Sequence, residues 1–191
     1  MKNLSWTATA IPFLLAGCNA PDASTPPASK DADGAIALNA DDGAGVERAA
    51  ANLKTAAGAA AGKAAVATIG GRVMLTVQVE GLPPGKHGVH VHMTGKCDAP
   101  KFESAGGHWN PADAHHGLEA AKGQHAGDMP NLVVEENGRA TLAYELKGAS
   151  FAGLMDADGS AIVVHASADD QKTDPSGNSG DRIACGVFKA G

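Results

Sequence analysis

Six histidines and one aspartate stand in an order that could hold metal: His90, His92, His108, His116, His125, Asp128 and His165. Imidazole is the commonest protein metal ligand, and the spacing here matches two metal ions rather than one. Of the 8 histidines, only His165 falls outside residues 87–125, a crowding that random scatter rarely produces. His90 and His92 are two apart in a strand-like run, so both rings leave one face, with Cβ atoms about 6.5–7 Å apart, while Val91 turns to the core. His165 closes the apolar run Ala161-Ile162-Val163-Val164 and can add a third nitrogen from a neighbouring strand. An imidazole-rich set of this kind suits copper as well as zinc. His125 and Asp128 are three apart, which one turn brings onto one ion, and with His116 they form a two-histidine, one-carboxylate set that suits zinc. His108 lies between the two groups, and Gly106-Gly107 free the backbone to bring its ring close to both. The duller reading makes His90-x-His92 a solvated strand face and His125-x-x-Asp128 a coincidence. His87 and His115 are read as non-ligands, although His115 competes with its neighbour His116 for one role.

These donors need a frame of rigid strands with two long excursions. The chain has 191 residues, with 25 Gly and 10 Pro, which implies many turns; aromatic residues are only 4%, so Val, Leu, Ile and Ala must build the core. That composition suits an all-β fold. Arg72 to Glu80 alternates, with Val73, Leu75, Val77 and Val79 on one face, and reads as a half-buried strand between Gly70-Gly71 and Leu82-Pro83-Pro84-Gly85. Further strands are expected over 87–93, 132–135, 139–146, 161–166 and 182–188, with Asn137-Gly138 as a hairpin turn. Alanine-rich 48–67 favours helix by propensity, yet Gly58 and Gly62 interrupt it, and two strands near 47–55 and 63–69 are expected instead. Eight short strands imply an antiparallel Greek-key sandwich or barrel of the immunoglobulin-like kind. Residues 94–131 and 167–181 lack periodicity, and long irregular loops in a compact domain are commonly functional. The first of them carries His108, His116, His125 and Asp128.

The ends set the context. Lys2 precedes the largely apolar run Leu4 to Ala16, too short to cross a bilayer comfortably, so residues 1–17 read as a secretory signal. Leu15-Ala16-Gly17-Cys18 looks like a bacterial lipobox, with Cys18 lipidated as the mature N-terminus; the alternative is an ordinary signal with an incidental cysteine. Residues 18–45, rich in Ala, Pro, Asp, Ser and Gly, read as a flexible linker, and 46–191 as the domain. The expectation is an exported lipoprotein of the periplasm or cell envelope that reaches the membrane through its lipid alone. If Cys18 carries lipid, Cys97 and Cys185 remain, and an oxidising compartment favours a disulfide over two free thiols. A formal net charge of -6 without a broad basic patch argues against nucleic-acid binding.

A family resemblance emerges from the motifs together. Gly88-Val89-His90-Val91-His92, Gly106-Gly107-His108-Trp109-Asn110-Pro111, His116-Gly117, His125-Ala126-Gly127-Asp128, Val163-Val164-His165 and Gly177 to Val187 resemble copper/zinc superoxide dismutase, in order and with few gaps from Val46 onward. The spacing after His92 resembles the bacterial exported branch. The resemblance implies copper on His90, His92, His108 and His165, and zinc on His108, His116, His125 and Asp128, with His108 as a bridging imidazolate. It further implies that Asp169 links ligands of the two metals, that Arg182 guides the anionic substrate, and that a Cys97–Cys185 disulfide pins the metal loop to the strand of Arg182. The implied reaction turns two superoxide anions into dioxygen and hydrogen peroxide by cycling copper, with His108 delivering a proton and zinc redox-silent. An acidic chain can still attract an anion, because the field at the site decides; Lys172 is either a helper there or a solvated surface lysine. A competing expectation is a non-catalytic periplasmic copper- or zinc-binding lipoprotein on the same fold. It predicts a degraded copper site, whereas all four copper positions and the arginine are present. A purely structural envelope lipoprotein leaves the histidines unexplained. The family includes monomers and dimers, so a homodimer stands among the expected partners.

Overall fold

The computed structural model describes residues 46–191; the expected signal segment, Cys18 and the linker up to residue 45 lie outside the described residues. The described chain runs through strands β1 (Arg48–Thr55), β2 (Ala60–Ile69), β3 (Arg72–Val79), β4 (Gly85–His87), β5 (Val89–His92), β6 (Leu132–Val134) and β7 (Ala140–Glu145), a one-turn helix α1 (Phe151–Leu154), then β8 (Ala161–His165), β9 (Arg182–Val187) and β10 (Lys189–Ala190). One sheet has the order β5-β8-β9-β1-β2-β3-β7, with β10 beside β1, and β4 and β6 form a separate two-stranded ribbon. Every pairing is antiparallel. The neighbours β5 and β8, β9 and β1, and β3 and β7 are far apart in sequence, which is the crossing pattern of a Greek key.

Alternation decides the alanine-rich segment. Ala49, Ala51 and Leu53 face the core while Ala50, Asn52 and Lys54 face water, so β1 behaves as a period-two strand despite its helical propensity. β2 starts three residues earlier than expected, because Ala60 pairs with Lys54 across a register shift after Leu53. The core is aliphatic, built on Leu53, Val66, Leu75, Val77, Val91 and Ile162, with Trp109 and Phe188 as its large rings.

Three further details differ from the sequence expectation. The single strand expected over 87–93 is two strands broken at Gly88, since β4 pairs with β6 and β5 pairs with β8. At the break Gly88 bonds to the end of β8 and the residues just after it: its N–H donates to Ser167 O at 2.8 Å and its carbonyl accepts the His165 N–H at 2.8 Å. Helix α1 was not expected; Ser150 caps it by accepting the Gly153 N–H, and its last residue, Leu154, is fully buried. The two-residue β10 also appears, docked on β1.

Both long excursions form as irregular loops. The first joins β5 to β6 and contains one 3₁₀ turn, Glu103–Ala105. The second joins β8 to β9. Cys97 in the first loop is bonded to Cys185 in β9, with their Cα atoms 5.7 Å apart.

Candidate metal centre

The loop donors are placed with strand precision by the backbone. The Trp109 N–H donates to Val91 O at 2.8 Å, the Gly127 N–H to Trp109 O at 2.9 Å, and the Val91 N–H to Gly127 O at 2.9 Å. This three-way closure sets His92 opposite His108 and His90 opposite Asp128. Trp109 anchors it, because its ring sits in the core. From the other side, β5 pairs with β8 in the register His90↔Val163, which brings His165 to the same end of the sheet.

His90, His92, His108 and His165 are buried, and each offers a ring nitrogen within 4.8 Å of the others. Each ring is fixed by its second nitrogen. The His92 Nδ1–H donates to Gly106 O at 2.9 Å, the His165 Nδ1–H to Gly180 O at 3.1 Å, and the His90 Nε2–H to Asp169 Oδ2 at 2.5 Å. What remains is His90 Nδ1, His92 Nε2, His108 Nε2 and His165 Nε2, all buried and all without a hydrogen-bond partner. A buried polar atom left unpaired costs about 1–3 kcal/mol, so four converging on one point fit a metal ion and little else. Four imidazoles suit copper.

The second set converges on Asp128. The Nδ1 atoms of His108, His116 and His125 lie 2.9, 3.1 and 3.3 Å from Asp128 Oδ1. A tetrahedron with bonds of about 2.0–2.1 Å has edges of about 3.3 Å, so this spacing fits zinc. Asp128 Oδ2 is turned away and accepts the N–H groups of Gly117 at 2.7 Å and His125 at 3.0 Å, which leaves Oδ1 for the ion. His108 alone belongs to both sets, with Nε2 toward the first and Nδ1 toward the second. Asp169 spans them from behind: Oδ2 meets His90 Nε2 and Oδ1 lies 3.1 Å from His116 Nε2. Both oxygens are therefore engaged by ligand rings, which makes Asp169 a tie between the sets rather than the seat of a third ion.

Electrostatics divides the two sides. Burial pushes His90 down to about 3 and His165 down to about 4, and holds His92 and His108 below the usual histidine range. Their lone pairs are therefore free of protons at neutral pH. Burial also works against the charge of Asp128 and Asp169, yet hydrogen bonds from the surrounding histidines hold both well below the ordinary carboxylate range. His116 reverses the trend. Burial lowers it, but its bonds to Asp128 and Asp169 outweigh that and raise it to about 9.

Arg182 sits across from His165 in the β8–β9 register. Its Nη1–H donates to Phe102 O and its Nη2–H to Gly106 O, each at 2.7 Å. It is close enough to depress both His92 and His165 electrostatically, so a fixed cation borders the copper-type set. His115 is exposed and paired with Asp174 at 2.7 Å, whereas His116 points into the site. His87 is buried as a brace, its ring nitrogens 2.7 Å from His165 O and 2.9 Å from Pro83 O. Lys172 is exposed on the second loop. Sequence reasoning missed the carbonyls of Gly106 and Gly180, which orient ligand rings, and it missed Gly177. There φ is +62°, and a Cβ would collide with Asp169 Oδ1 and sit 2.7 Å from His116 Nε2. The glycine inside the quoted motif was the available signal.

The family model for copper/zinc superoxide dismutase (SODC) matches residues 54–188. The Cu-Zn superoxide dismutase 1 of Aquifex aeolicus is 41% identical over 134 residues, which is 67% of this chain and 79% of that protein. The Cu-Zn superoxide dismutase of Caulobacter vibrioides is 42% identical over 144 residues, 72% of this chain and 83% of its own length. Among solved structures, a SOD-like protein from Bacillus subtilis superposes with a TM-score of 0.66 at 37% identity, covering 72% of this chain and 96% of its own. The Cu/Zn superoxide dismutase of Brucella abortus gives 0.62 at 26% identity, covering 75% and 100%. With the family model spanning most of the described domain and relatives near two-fifths identity, the chain belongs to the copper/zinc superoxide dismutase family.

Proposed function

We infer that this chain is a superoxide dismutase, converting two superoxide anions and two protons into dioxygen and hydrogen peroxide. The observation that carries the reading is the set of four buried, unpartnered nitrogens on His90, His92, His108 and His165. Those four side chains would hold copper, which would supply one-electron redox chemistry in both directions. Arg182 draws the anion in and holds it beside that set, because its guanidinium is fixed by two carbonyls and cannot swing away. His108 is the residue placed to move a proton. Its Nε2 faces the copper-type set, while Nδ1 is held on the zinc side, so the ring keeps its place when Nε2 takes or gives a proton. With His108, the side chains of His116, His125 and Asp128 would hold zinc, which would fix that ring and the loop. The test is metal content and superoxide consumption measured on the same purified protein. Both metals with rapid consumption are expected; both metals without consumption would support the binding-only alternative.

The same reading extends to location. We propose that the protein is exported and held in the cell envelope by lipid on Cys18, supported by Lys2, the apolar run to Ala16 and Leu15-Ala16-Gly17-Cys18. Mass spectrometry of the mature N-terminus should find a diacylglyceryl cysteine, and Cys18→Ser should release the protein from membranes. An unmodified or absent Cys18 in the mature protein sinks the anchor. Sedimentation of the detergent-free domain tests for a homodimer, which doubles the sedimenting mass.

A further inference from the structure

Two side-chain amides with no ligand role join the metal loops from opposite sides. Asn131 lies three residues past Asp128. Its Nδ2–H donates to Asp169 O at 2.8 Å, and its Oδ1 accepts the Asp169 N–H at 2.7 Å. One amide thus pairs with both polar groups of one residue's backbone, a two-point contact that leaves little freedom of rotation. Gln171 reaches back the other way. Its Nε2–H donates to Met129 O at 3.3 Å, and its backbone N–H donates to Asp169 Oδ1 at 2.6 Å. Gln171 holds φ at +64°, unusual for a residue with a side chain, and its carbonyl accepts the Glu119 N–H at 3.1 Å while resting against Gly117, next to His116. Residues 129–131 and 169–171 are therefore cross-tied, and between the ties stands the Asp169 carboxylate that engages His90 and His116.

We propose that Asn131 and Gln171 form a reciprocal latch that positions the Asp169 carboxylate and so couples zinc retention to the geometry of the copper-type set. The proposal rests on the two-metal reading of the site. Neither residue touches a metal-facing nitrogen; both are positioning residues. Asn131 has to be an amide, because it both gives and accepts. An aspartate there has the same shape but sets a carboxylate against the Asp169 carbonyl. Gln171 needs its N–H to reach Met129, and a methionine of similar length cannot supply one.

The experiment uses the full chain loaded with copper and zinc, with no superoxide present. Zinc retention is read by competition with a chromophoric chelator, and copper(II) geometry by electron paramagnetic resonance, for wild type, Asn131→Asp, Gln171→Met and the double variant. Outer partners of metal ligands typically contribute about 10- to 100-fold in affinity. Asn131→Asp, acting one contact further out, is expected to weaken zinc retention about 10-fold and Gln171→Met about five-fold. The double variant should lose less than the product of the two, because both act on one carboxylate. The copper spectrum of the zinc-loaded variants should shift, a change that a packing role alone does not produce. Should Asn131→Asp fail to fold, the half-buried Gln171 carries the same test. Zinc retention within twofold of wild type, or an unaltered copper spectrum, overturns the latch. A wild type that retains no zinc overturns the two-metal reading and the latch together. A wild type that retains zinc but consumes no superoxide in the separate activity assay overturns only the activity; the latch then stands on the shifts in its variants.

Discussion

A histidine has two nitrogens, and this centre assigns each one a separate task. On His92 and His165 the Nδ1–H is tied to a backbone carbonyl and Nε2 is left bare; on His90 the roles are exchanged because Asp169 takes Nε2. The tautomer follows from the partner, not from the ring. A pH prediction follows for protein stripped of metal by chelation. His90 near 3 and His165 near 4 lie below their unfolded value of about 6.5, so the unfolded chain binds protons first as pH falls. Their contribution to stability is complete above about pH 6.5 and is lost as pH drops toward 4. His116, raised to about 9, has the opposite sign: its contribution is present below about 6.5 and fades as pH rises through 9. Thermal melts of the stripped protein should therefore peak near neutrality and fall on both sides, more steeply in acid, where the depressed Asp128 and Asp169 add to the loss. A melting temperature that rises from pH 7 to 5 would contradict this assignment.

The strands supply distance and the loops supply identity. His90, His92 and His165 were legible because period two places His90 and His92 on one face and an apolar run ends at His165. The loop donors were legible only through their motifs, since no periodicity orients residues between 94 and 131. Their true positioning device is the backbone closure of Val91, Trp109 and Gly127, which no local pattern announces. The same holds for the break at Gly88, where the two halves of one apolar run choose different partners. Partner choice is a property of the whole sheet, so a single-chain pattern reads such a segment as one strand. The closure can be tested at Gly127, where a Cβ would collide with the Val91 carbonyl. Gly127→Ala should lift the zinc loop off β5, costing about 2–3 kcal/mol for the bonds lost, and zinc should leave at lower chelator concentration. Calorimetry and chelator titration read the two effects. A wild-type melting temperature would show that the loop is held by its side chains instead.

For the molecule as a whole, charge and activity pull in opposite directions. The chain carries a formal charge of -6, and its substrate is an anion. A field that attracts superoxide must be local, and Arg182 on its two carbonyls is the fixed cation bordering the site. Exposed charge is screened over about 8–10 Å at physiological ionic strength, so turnover should fall as salt rises. Arg182→Gln should lower the rate roughly several-fold and flatten that salt dependence. An unchanged slope in a rate-against-ionic-strength series would reassign the guidance to other charges. The Gly106 carbonyl gives this arrangement a further consequence. It accepts from both His92 and Arg182, so the cation proposed to guide the substrate and a ring that would hold copper hang on a single atom. Affinity for the anion and redox potential are then not independent traits. Sequence drift in the short stretch before His108 must move both together, and a lineage that retuned one would inherit a change in the other.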